Sequence, residues 1–106
     1  MSNEAVIGKF VNRYFYTDVD VVGKIVDTFG KTGIIVESYT AERDPDWKPE
    51  IIPGGFAGHC VNNRSQRWIF KPIEGGKKIR LRVSNRFKKD GYRIQDEPYK
   101  FYDYNF

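Results

Sequence analysis

The sequence predicts an all-β domain, either a small barrel or a strongly bent antiparallel sheet of five to seven short strands. Period-two alternation of apolar and polar residues recurs along the chain, and no convincing helical period does. Val, Ile, Thr and Tyr dominate the alternating stretches, as a half-buried pleated surface prefers. Glycine-bearing turns punctuate them at short intervals, and a bent or closed sheet keeps exposed edges few.

The elements follow in order. Phe10, Val11 and Tyr14 suit a short helix and Tyr14-Phe15-Tyr16 a strand; the reading adopted is a strand after a short ordered turn. From Val19 to Asp27, Val19, Val21, Gly23 and Ile25 share one face, with Asp20, Val22, Lys24 and Val26 on the other. Gly30-Lys31-Thr32-Gly33 breaks this strand, and Ile34 to Tyr39 reads as its hairpin partner. Ala41 to Glu50 holds Pro45 and Pro49, which cannot sit in a central strand, so a surface loop is expected. Arg67 to Lys71 reads as a strand, Ile73-Glu74-Gly75-Gly76 as its turn, and Lys77 to Ser84 as the second arm of a hairpin. In that arm Ile79, Leu81 and Val83 face one way and Lys78, Arg80 and Arg82 the other. Tyr92-Arg93-Ile94 is a further short strand, and the aromatic stretch from Tyr99 to Phe106 is expected to dock on the body as an edge strand.

Residues 1–106 suffice for one domain with a real core. A hydrophobic content of 40% argues against wholesale disorder. No apolar run is long enough to span a bilayer, and Met1-Ser2-Asn3-Glu4 lacks the charged region and apolar stretch of a secretory leader, so a cytoplasmic location is expected. Cys60 is the only cysteine, which excludes an intrachain disulfide. The net charge of +4 hides a partition. Residues 1–50 carry six Lys/Arg against nine Asp/Glu, whereas residues 77–93 carry eight Lys/Arg against Asp90 alone. Such a segment concentrates polyanions around it.

The pattern Val21 to Asp27, then Gly30 to Glu37, resembles the opening hairpin of SH3-like barrels, including KOW-type modules of nucleic-acid-associated proteins. The resemblance covers about twenty residues and implies a small SH3-like barrel, a fold that hosts many activities. The stretch from Pro53 to Asn63, continuing to Gln66-Arg67-Trp68, is similar to segments of small accessory proteins of tailed bacteriophages. That resemblance implies a host cytoplasm and a role on host machinery or host defences.

Three functional readings follow. The leading one is a non-enzymatic module that binds nucleic acid or another polyanionic surface through a basic hairpin. Lys78, Arg80, Arg82, Arg86, Lys88, Lys89 and Arg93 would neutralise phosphates, and Tyr92 or a nearby exposed aromatic would stack a base. The second is a phage-encoded interaction or inhibitor module acting on a host protein through the Trp47 loop, the aromatic terminus or the glycine-rich loop. Gly54, Gly55, Phe56, His59, Asn62, Asn63 and Arg64 supply that loop with backbone amides and polar side chains suited to phosphates, carboxylates or a peptide backbone. The third is a small-molecule site around His59, Cys60 and Asn62. Adjacent residues in an extended chain point to opposite faces, so a His59–Cys60 dyad is disfavoured and no catalytic residue is assigned. One His and one Cys leave a zinc site short of ligands, and no metal or cofactor is expected.

Overall fold

The computed structural model describes residues 3–52, 59–60 and 66–102. A 3-10 turn (Asn3–Val6) precedes β1 (Phe10–Phe15), β2 (Asp18–Phe29) and β3 (Gly33–Arg43). The short strands β4 (Ile51–Ile52) and β5 (His59–Cys60) form a separate two-stranded pair among the described residues. β6 (Trp68–Pro72), β7 (Lys78–Arg82), a single-turn helix α1 (Asn85–Lys89) and β8 (Tyr92–Gln95) complete the elements.

The hairpin of β2 and β3 forms where the turn glycines predict it. Val19, Val21, Gly23 and Ile25 are buried along β2, so the expected alternation decides which face meets the core. Two register shifts skip Val22 against β1 and Val26 against β3. Each is a bulge that bends and twists the strand, and β2 curves while serving both neighbours. The sheet runs β6-β3-β2-β1-β8 and is antiparallel throughout, with β7 also on β3. β7 and β8 lie at opposite edges, and the sheet stays open, not closed into a barrel.

The hairpin expected between β6 and β7 is not formed. β3 is 11 residues long, and its free edge accommodates both strands end to end. β7 pairs with Gly33–Glu37 and β6 with Tyr39–Arg43. Ser38 sits at the junction: its carbonyl accepts from Ile73 N at 2.9 Å and its Oγ donates to Lys77 O at 2.8 Å. The Ile73–Gly76 turn therefore bulges out of an interrupted strand without reversing the chain.

The second correction is α1, which five residues of sequence do not reveal by period. Ser84 caps it from an extended conformation, its Oγ accepting from Phe87 N at 3.4 Å. Gly91, at φ 93°, follows its end in the left-handed region. A Cβ there would collide with the Tyr14 carbonyl, and the Gly91 carbonyl accepts from Tyr14 N at 2.8 Å. Glycine thus lets the chain leave the helix and join β1 directly.

Val11, Ile25, Ile34, Val36 and Phe87 form the buried cluster, ringed by Val22, Leu81, Val83, Tyr92 and Ile94 among others. Full burial of each large apolar side chain contributes roughly 1.5–3 kcal/mol. β3 runs on to Arg43, past the expected start of the surface loop at Ala41. In the loop Asp44 Oδ1 accepts from Asp46 N at 2.9 Å, and Trp47 is 6% exposed. Trp47 is therefore a packing residue, which removes it as an exposed interface anchor. The C-terminal stretch docks on β2 through a single bridge and not as the expected edge strand: Val19 and Phe101 exchange both backbone hydrogen bonds at 2.9 Å, and residues 103–106 lie outside the described residues. No helix among the described residues is long and apolar enough to cross a membrane.

Candidate functional site

The β3–β7 ladder decides which side chains share the exposed face of the basic edge. Glu37 lies opposite Lys78, Ile35 opposite Arg80 and Gly33 opposite Arg82. On the other side of β3 the same three residues face Lys24, Asp27 and Phe29. Directly opposed residues point to one side of a sheet, so Phe29, Gly33 and Arg82 form a row.

Gly33 has no side chain in the middle of that row, and the Phe29 ring lies over its Cα, where a Cβ would strike the ring. Covering a strand glycine with a cross-strand aromatic restores packing that the glycine omits. The ring then becomes a seat for the cations beside it. The Arg80 guanidinium carbon is 4.5 Å from the Phe29 centroid and that of Arg82 is 5.1 Å away. Each such contact is worth about 0.5–1 kcal/mol at an exposed site. It is enough to bias a long side chain toward one orientation.

Charge accounting sets this edge apart. Among the described residues, carboxylates engage Lys9, Arg67, Lys71, Arg86 and Lys100. Lys77, Lys78, Arg80, Arg82, Lys88 and Lys89 have no ion pair among the described residues, and all six are exposed. Arg80 and Arg82 are held by a neutral ring, which leaves their charge uncompensated.

The other cations of residues 77–93 are dispersed over α1 and β8. Arg86, Lys88 and Lys89 ride on α1, where Arg86 Nε lies 3.7 Å from Asp90 Oδ2. Arg93 sits on β8 at the far edge, where it donates to the carbonyls of Lys88 at 2.9 Å and Tyr92 at 2.8 Å. Its role there is to satisfy the end of α1. Tyr92 is not a free stacking platform either: it is half-buried, stacked on Phe87 at 5.1 Å, with the Arg13 guanidinium 5.2 Å from its centroid.

Sequence reasoning missed Phe29 and Lys31. Val83 N donates to Thr32 O at 2.8 Å, which brings the Gly30–Thr32 turn, Lys31 included, to the end of β7. The available signal was an aromatic residue ahead of a turn whose last member is a strand glycine. Of the glycine-rich loop, Gly54, Gly55, Phe56, Asn62, Asn63 and Arg64 lie outside the described residues. Backbone pairing of His59 with Ile52 and Cys60 with Ile51 is what the structure gives there. Among the described residues no group of three His, Cys, Asp or Glu is disposed to hold a metal ion. Comparison with protein-family models, with curated proteins and with solved structures finds no match to this chain.

Proposed function

We propose that this protein is a non-enzymatic module that binds nucleic acid through the exposed face of β7. The observation that carries the reading is the pair Arg80 and Arg82 seated on Phe29, with Lys78 two residues away on the same face. None of the three has a carboxylate partner among the described residues. Guanidinium groups biased by an aromatic ring present donor forks that match phosphate oxygens, and the ring contact offsets part of the entropy of ordering them. Lys31, Lys88 and Lys89 extend the positive field around this core. Such contacts position a phosphate backbone and read no sequence.

The sheet order β8-β1-β2-β3-β7 sets β7 at an edge opposite β8. An open sheet of this kind leaves β7 accessible along its exposed face. The test is binding to short single- and double-stranded DNA and RNA across a salt series. Affinity falls steeply with salt, and the slope shrinks by about one for each phosphate-contacting cation removed. An acidic protein surface is the competing polyanion, and retention of salt-sensitive binding to acidic peptide with none to oligonucleotide would replace the nucleic-acid assignment.

A further inference from the structure

At the edge opposite β7, the one polar side chain buried among the described residues is Asn12, at 0% exposure. Its Nδ2 donates to Gln95 Oε1 at 2.7 Å and to Glu97 O at 3.0 Å, and its Oδ1 accepts from Tyr99 N at 2.9 Å. Gln95 Nε2 in turn donates to the Tyr14 hydroxyl at 2.9 Å. One buried amide thereby fixes the strap of residues 95–99 and, through Gln95, an exposed tyrosine. A satisfied buried network adds little net stability over apolar packing, but it specifies one arrangement of the groups it holds.

What it holds is a groove of about 520 Å³ between the strap and the Tyr14–Tyr99 pair. The two rings stack at 6.3 Å and 13°, yet Tyr14 remains 36% and Tyr99 45% exposed. Asp96 and Glu97 line the same groove. Asp96 is paired with Lys9 at 3.1 Å, whereas the Glu97 carboxylate has no cation partner among the described residues. A chain with a net charge of +4 thus keeps an uncompensated carboxylate beside preorganised aromatic faces.

We propose that this groove docks an arginine-bearing basic segment of a partner protein. The guanidinium plane stacks on an exposed tyrosine face while its N–H fork pairs with Glu97. Lysine offers a point charge without the stacking plane and is the weaker ligand. The site has the opposite sign from β7 and lies at the opposite edge, so it stands whether or not β7 binds nucleic acid.

The test is titration of a labelled oligo-arginine peptide, with oligo-lysine of equal length as comparator, against wild type, Glu97→Lys, Tyr99→Ala and the Arg80→Ala/Arg82→Ala double variant. Oligo-arginine binds wild type more tightly than oligo-lysine, and Glu97→Lys and Tyr99→Ala each weaken it by about tenfold. The double variant binds at least as well as wild type. Glu97→Lys keeps the backbone carbonyl that Asn12 uses, so its fold, checked by thermal melting, is preserved. Absence of wild-type binding at ~1 mM peptide, equal affinity for the two peptides, or an unchanged affinity of folded Glu97→Lys would each overturn the proposal.

Discussion

β7 and the Asn12-held strap occupy opposite edges of one sheet and carry opposite charge, and they are ordered by different physics. On β7 the arginines rest against Phe29 through weak, solvent-exposed contacts, so removing them costs the fold little and leaves the surface without its charge. At the strap a buried amide makes three hydrogen bonds, so removing it disturbs the fold first. Function can be tested at the first region by simple truncation. At the second it must be tested at residues that meet Asn12 through backbone atoms, as Glu97 and Tyr99 do.

Asn12→Ala sharpens this contrast with the largest expected effect. It leaves the Glu97 carbonyl and the Tyr99 amide short of a partner, and unfolding in urea is expected to show a loss of about 3 kcal/mol. Hydrogen exchange at the Tyr99 amide should accelerate with it. Arg80→Ala/Arg82→Ala comes next and acts in the other currency: stability changes by less than about 1 kcal/mol, while the log–log salt slope for nucleic-acid binding falls by roughly two. A double variant that melts far below wild type would break the distinction between the regions.

Phe29→Ala is expected to weaken nucleic-acid binding about fivefold with every cation intact, because both guanidinium groups lose their seat. Isothermal titration reads this as a less favourable binding entropy. The smallest effect belongs to Lys88→Ala/Lys89→Ala, residues that stand on α1 and not on β7. Fluorescence anisotropy at fixed salt should show a loss of about threefold, consistent with a long-range contribution to the field.

Local pattern made much of the fold legible. Val19, Val21, Gly23 and Ile25 are buried together, and the Gly30–Gly33 turn closes the hairpin that the spacing predicts. What was not legible is pairing at a distance. Glu74-Gly75-Gly76 suits a chain reversal and an outward bulge equally well, and only the free edge of β3 decides between them. The helix α1 is too short to display a period, and its signals are the cap at Ser84 and the glycine at position 91.

The site was legible as charge and not as geometry. Counting cations over residues 77–93 found the arginines of β7, yet the chain sends Arg93 to the opposite edge and turns Tyr92 against Phe87. Phe29 was invisible as a partner because its contact with Arg82 runs across two ladders and over Gly33. Asn12, a polar residue within a strand, gives no sign in sequence that it is fully buried.

The central claim is that the β7 face carries nucleic-acid binding, and the most direct measurement is anisotropy of labelled single- and double-stranded oligonucleotides from low to physiological salt. Wild type, Arg80→Ala/Arg82→Ala and Glu97→Lys are compared. The account predicts salt-sensitive binding by wild type, its collapse in the double arginine variant, and its retention in Glu97→Lys. Equal binding by wild type and a folded double arginine variant, or no wild-type binding at low salt, would contradict it.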